Sequence, residues 1–279
     1  MRKNKLIFIV ILLLITTSII YGLKETETTK PTFFEISNKT KNNKYKKISF
    51  YKQENYKRYI NYQEKNKNLK IKDIITQVNI GLDTPYYTNP KVSNNLNNEL
   101  ILVNKYTFLP NNYIPNNLEL INEKYSLPGM KLVSYAKDAF EKMSEEAAKE
   151  NLNIIAMSTY RSYNYQENLY TKYANEDGKE KADTYSARPG HSEHQTGLAV
   201  DVYNKKVNYT EFESTEEFKW LEKNAHKYGF ILRYPKNKSK ITGYVYESWH
   251  YRYVGPETAA KIKKQNITYD EYYIQNLDN

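Results

Sequence analysis

SARPGHSEHQTGLAVD (residues 186–201) and, further on, ESWHYR (residues 247–252) hold three of the chain's 4 histidines in two short strings. The chain has no cysteine, so a thiolate nucleophile, a disulfide and Cys-ligated zinc are excluded, and metal ligation is left to His, Asp and Glu. A catalytic zinc takes about three protein ligands and keeps a position for water. His194, Asp201 and His250 can supply the three, because the loop through Gly197 feeds a strand-like run, Leu198–Tyr203, and returns Asp201 towards His194. Neutral imidazoles with one carboxylate leave zinc acidic enough to activate water. Glu247 is then placed to carry that water's proton to a leaving amine. A spacing of three from His250 shares a face on a helix but not on a strand, so Glu247 is expected in a turn leading into His250's strand. A Ser-His-Asp hydrolase built on Ser192, His194 and Asp201 is the rival. It lacks a nucleophile-elbow pattern and leaves ESWHYR without a role.

Around these strings the pattern is mixed. Ala136, Phe140, Met143 and Ala147 fall on one face of a helix predicted over 134–151. Asn153–Thr159 is β-prone, and Ser162 is placed to cap a helix running through Tyr173. Ser214 and Glu217 form a capping-box pattern ahead of Phe218, Leu221, Ala225 and Tyr228, with Gly229 as the stop. Phe230–Arg233 and Trp249–Val254 are further strands, and Pro256 opens a terminal helix. Strands and helices without a βαβ repeat predict an α+β domain.

The pattern S-x-H-x-x-G-x-A-x-D followed by E-x-W-H resembles the VanY-type D-alanyl-D-alanine carboxypeptidases of the LAS zinc metallopeptidase group, named for lysostaphin, D-Ala-D-Ala peptidases and hedgehog. STYRSYNYQ (158–166) is similar to that family as well, as are LVNK (102–105), Leu109–Pro110 and Tyr113–Pro115. The similarity covers roughly residues 56–265. The resemblance implies a central, mostly antiparallel sheet flanked by helices, Zn2+ as cofactor, His194, Asp201 and His250 as its ligands, and Glu247 as general base. It also places Arg161 in the site, as a fixed cation for the substrate carboxylate or the developing oxyanion. Gln166, Ser186 and Ser192 are candidates for contacting substrate. His191 is expected to orient the loop or back a ligand, His226 to sit at the surface or rim, and Trp249 to pack behind His250. Glu193, next to a ligand, is expected to point elsewhere. The implied substrates are peptidoglycan stem peptides ending in D-Ala. Cleavage of the L,D bond of a tetrapeptide stem and a non-catalytic, membrane-tethered wall-binding protein remain as alternatives.

The 279 residues carry a net charge of +10 and 29 tyrosines, with a mean hydropathy of -0.83. Lysines scattered singly, without a nucleic-acid motif, argue against nucleic acid and suit an anionic membrane or wall. Arg2, Lys3 and Lys5 precede an apolar run from Leu6 to Leu23, whose polar members are Thr16, Thr17, Ser18 and Tyr21. A run of that length lies near the lower limit for a membrane-spanning helix, and the basic flank puts the N-terminus inside. No clean cleavage site follows, which favours an uncleaved anchor over a secreted product. The expected organisation is a membrane segment (1–23), a polar linker (24–47), an extension packed on the core (48–125), the catalytic domain (126–265) and a C-terminal tail (266–279). The protein is expected to be a monomer at the outer face of the cell membrane.

Overall fold

The computed structural model describes residues 44–278. The expected membrane segment and most of the linker lie outside them. Among the described residues no helix is long and apolar enough to cross a membrane.

The chain first forms two helices, α1 (Tyr56–Lys65) and α2 (Ile71–Ile80). Tyr59 of α1 and Ile74, Ile75 and Val78 of α2 bury themselves with Tyr45, Phe50 and Ile274. The short strands β1 (Lys91–Val92) and β2 (Thr107–Phe108) pair in parallel, and β3 (Leu118–Leu120) and β4 (Lys131–Val133) pair antiparallel. Helix α3 (Ser134–Lys149) follows, then β5 (Ile155–Ser158) and α4 (Tyr163–Asp177). The Ser162 side chain accepts from Tyr165 N, the expected N-cap.

Strand β6 (Ala199–Tyr203), helix α5 (Glu216–Asn224), β7 (Phe230–Leu232) and β8 (His250–Tyr253) complete a sheet of order β5-β6-β8-β7. Every pairing in it is antiparallel. The α+β class and the antiparallel sheet agree with the sequence reading. The capping box does not: the cap of α5 is Thr215, which accepts from Phe218 N, while the Glu217 carboxylate accepts from Asn204. Two amide groups, the buried Asn204 Nδ2 and Asn153 N, hold the Glu217 carboxylate instead.

Alternation along the strands separates two faces. Val200, Val202, Tyr251, Tyr253 and Phe230 join Ala136, Phe140, Met143 and Ala147 of α3 in the main core. Asp201, His250 and Arg252 belong to the other face. Asp201 stands directly opposite His250 in the register. Helices α6 (Pro256–Gln265) and α7 (Tyr269–Asn276) follow. The segment 266–279, expected as a tail, therefore carries a helix, with Tyr269, Asp270, Tyr272 and Ile274 buried. Thr268 and Glu271 start it with a capping box.

Gly197 ends the 3-10 turn Glu193–Thr196 with φ 69°. A Cβ there would lie 2.8 Å from Leu118 Cδ2 and 3.0 Å from Val133 Cγ2. Gly129 has a similar φ of 80° with nothing within 4 Å. Both alanine variants meet the left-handed backbone penalty, about 1–2 kcal/mol. Only Gly197→Ala adds a clash beneath the His194 turn. Thermal unfolding of the two variants is expected to show a clearly larger loss for Gly197→Ala; equal losses would mean that the turn yields without cost.

Candidate active site

Three local features bring the candidate ligands together. Register places Asp201 across from His250, and facing residues on one side of an antiparallel pair lie about 5 Å apart. His250 Nδ1 is 3.0 Å from Asp201 Oδ1. The third member, His194, comes from the 3-10 turn. Its Nδ1 lies 2.7 Å from Thr159 O, and its backbone oxygen accepts from Arg161 N. A carbonyl accepts only from N–H, so Nδ1 carries the His194 proton. Burial, reinforced by the Arg161 charge, lowers His194 to about 4 and keeps the ring neutral. Its Nε2 therefore presents a lone pair, and it does so 3.2 Å from Asp201 Oδ2.

Two electron-rich atoms facing each other in a buried site suit a cation between them. His194, Asp201 and His250 can each offer an atom within 4.8 Å of the others. The donor set thus fits a dication that takes nitrogen and carboxylate oxygen together.

His250 has carboxylates on every polar side. Glu247 Oε2 is 3.7 Å from Nδ1 and Glu193 Oε2 is 3.5 Å from Nε2. Burial opposes its charge, but Asp201 and Glu193 outweigh burial and raise it to about 9. Glu247 sits in the expected turn before β8. Burial and the nearby Asp201 charge lift it to about 8 against the pull of His250. A dication at the ligand set would reverse that balance and favour the carboxylate.

Arg161 donates from Nη2 to Asp201 Oδ2 at 2.7 Å and to Ser158 Oγ at 2.7 Å. Arg161, Gln166, Ser186, Ser192, His194, Asp201, Glu247 and His250 all line one cavity of about 500 Å³. Gln166 is buried and donates from Nε2 to Ala187 O, while its Oε1 has no protein partner. The structure thus gathers every sequence-predicted site residue around a single cleft.

Other residues fall differently. Trp249 does not pack behind His250; it lines the cleft, edge-on to Tyr209 with ring centroids 4.9 Å apart. The ring against His250 is Tyr234, at 4.9 Å. No local pattern marks Tyr234, since a chain with 29 tyrosines hides it among equals. His191 is buried, with Nδ1 2.7 Å from Asn104 O and its ring between Tyr87 and Phe108, so it orients the loop. His226 lies half-buried on the rim of a separate small pocket. Glu193 is fully buried beneath the site, bonded to Arg233 and Arg252.

Residues 129–256 match the family model described as VanY, D-alanyl-D-alanine carboxypeptidase. YodJ of Bacillus subtilis is 42% identical over 186 residues, 64% of this chain and 68% of that protein. The chain belongs to the VanY family. The bifunctional D-Ala-D-Ala dipeptidase and carboxypeptidase VanXYC of Enterococcus gallinarum is 34% identical, over 63% of this chain and 94% of that protein. Among solved structures, the LD-carboxypeptidase LdcB matches with a TM-score of 0.63 and 40% identity, over 67% of this chain and 90% of that one. VanYB in complex with D-Ala-D-Ala matches at 0.56 and 33%, over 65% and 99%.

LVNK, the string that ends in Lys105, also finds its place. Lys105 is buried, donates to Asp183 O, and lies 4.0 Å from the Tyr244 ring centroid and 4.9 Å from that of Tyr87. Tyr244 in turn packs on Tyr234, so Lys105 props the aromatic wall that reaches His250. Burial lowers Lys105 from 10.5 to about 8, against the pull of Asp183. Between those two values the unfolded chain binds more protons than the folded one, so this group makes stability rise with pH across that window. The melting temperature of the wild type relative to Lys105→Met is expected to climb between about pH 8 and pH 10. A difference independent of pH would contradict the burial of the ammonium.

Proposed function

We propose that the chain is a zinc carboxypeptidase that releases the terminal D-alanine of peptidoglycan stem peptides. The observation that carries this reading is the convergence of His194 Nε2, Asp201 and His250 Nδ1 in one cleft with Glu247 and Arg161 beside them. The chain is a metallo-carboxypeptidase by family, and a VanY D,D-pentapeptidase of 34% identity is known in complex with Zn(II).

His194, Asp201 and His250 would hold the zinc, which when bound acidifies water and polarises a carbonyl. The remaining chemistry falls to the chain's own residues. Glu247 Oε2, within 3.7 Å of His250 Nδ1, is placed to accept the proton of the attacking water and return it to the departing amine. Arg161 supplies a fixed guanidinium on the cleft wall, which suits the substrate's terminal carboxylate or the charge that develops on the scissile carbonyl oxygen. The unpartnered Gln166 Oε1 can accept a substrate N–H, and Ser186 and Ser192 offer hydroxyls in the same cavity. The N-terminal basic and apolar run supports a tether that holds this cleft at the outer face of the membrane.

A second reading differs only in the bond cut. The similarity to an LD-carboxypeptidase at 40% identity favours cleavage of the L,D bond of a tetrapeptide stem. The family description and the VanYB complex favour the D,D bond of a pentapeptide. Mass spectrometry of both stems after incubation with the protein separates them. We expect loss of one D-alanine from the pentapeptide; trimming of the tetrapeptide alone would establish the L,D reading, and trimming of neither would end both.

Glu247→Gln keeps the shape of the side chain and removes its capacity to hold a proton. We expect zinc content by elemental analysis to stay at that of the wild type, and D-alanine release to fall by roughly a hundredfold or more. Turnover close to that of the wild type would move the proton-transfer role to another residue.

A further inference from the structure

Glu193 lies beneath the ligand set, with its side chain fully shielded from solvent. Its Oε1 accepts from Arg233 Nε at 2.8 Å and from Arg252 Nη1 at 2.9 Å. Its Oε2 accepts from neither guanidinium. Oε2 is left without a formal partner, and so is His250 Nε2. These two buried atoms face each other at 3.5 Å.

The guanidiniums are themselves tied down. Arg233 Nη1 donates to Asp270 Oδ2 at 2.6 Å, and Asp270 Oδ1 accepts from Asn104 Nδ2. Arg252 Nη2 donates to the backbone oxygens of Glu99 and Ile101. Two carboxylates thus balance two guanidiniums in a string that is at most 1% exposed. Asp270 belongs to α7, outside the stretch that matches the family model. Buried ion pairs cost desolvation, and removing one member leaves a charge without its partner, at about 3–5 kcal/mol. Such a string is rigid, and it presents one carboxylate oxygen to one imidazole nitrogen.

We propose that Glu193 is a positioning residue for the metal site, accepting the Nε2–H of His250 and thereby keeping the Nδ1 lone pair aimed at the metal. The proposal rests on His250 being a ligand. The physical reason is tautomeric. A neutral imidazole has one proton, and the hydrogen bond at the far nitrogen decides which nitrogen is left to ligate. Arg233 and Arg252 occupy Oε1, so Oε2 cannot turn away from the ring. In Glu193→Gln the amide oxygen would stay with the guanidiniums, and the NH2 group would face His250 Nε2. An N–H donor there draws the Nε2 lone pair and moves the ring proton to Nδ1, the ligating nitrogen.

The test is zinc affinity, measured on the full chain by competition with a chromophoric chelator. We expect Glu193→Gln to bind zinc 10–100-fold more weakly than the wild type, in the range seen when the carboxylate behind a ligating histidine is lost. Excess zinc is expected to restore much of its turnover, which excess zinc cannot do for Glu247→Gln. A folded Glu193→Gln protein with the zinc affinity of the wild type would overturn the proposal and leave Glu193 a structural ion-pair member. If the variant does not fold, the 15N spectrum of histidine-labelled, zinc-loaded wild type decides instead. A protonated Nε2 on His250 supports the proposal and a protonated Nδ1 overturns it. His250→Ala separates the two levels: zinc affinity unchanged in that variant would remove His250 from the ligand set itself.

Discussion

The pairing of Asp201 with His250 across two antiparallel strands is the constraint on which the rest of the site depends. A slip of either strand by one residue would turn its own side chain, Asp201 or His250, towards α3 and bring Val200 or Tyr251 to the cleft, because strand faces alternate with a period of two. The hydrophobic face guards against that shift. Val200, Val202, Tyr251, Tyr253 and Phe230 are all committed to the main core, so the polar face is fixed by where the apolar one must go. A carboxylate and an imidazole in close contact below the protein surface then follow from burial of the opposite side.

Holding charge at that depth requires a second layer. The cleft floor is a set of carboxylates and imidazoles, and beneath it lies a balanced string of Glu193, Arg233, Arg252 and Asp270. These elements join segments far apart in the chain: the 3-10 turn, β8, the residue after β7, and α7. The extension also contributes, since Asn104 reaches Asp270 and its carbonyl anchors His191. The floor of the cleft is thereby tied to Asn104 and Asp270, which do not line it.

The aromatic residues serve the same end with less charge. Lys105, Tyr244, Tyr234 and His250 stand in succession, each ring within about 5 Å of the next group, so the wall of the cleft is braced from behind by a buried ammonium. Trp249 and Tyr209, edge-on to each other, also line the cleft. Arg161, Gln166 and Glu247 line the same cleft.

Much of this was legible before any coordinates. The apolar period of 134–151 marked α3, and Ser162 marked the start of α4, because both signals are local. The spacing within residues 186–201 and 247–252, together with the absence of cysteine, made His194, Asp201, His250 and Glu247 candidates, since few residue types can ligate zinc or move a proton, and the resemblance to the VanY-type family singled them out. Three things were decided only in three dimensions. The tautomer of His194 depends on Thr159 O, and the one proposed for His250 on Glu193 Oε2, contacts set by tertiary packing rather than by neighbours in sequence. The choice of Tyr234 over Trp249 as the ring against His250 depends on how β7 and β8 lie together. The place of Asp270 in the buried string depends on the docking of α7, and a lone acidic residue near a chain end carries no local sign that an arginine 37 positions away will need it.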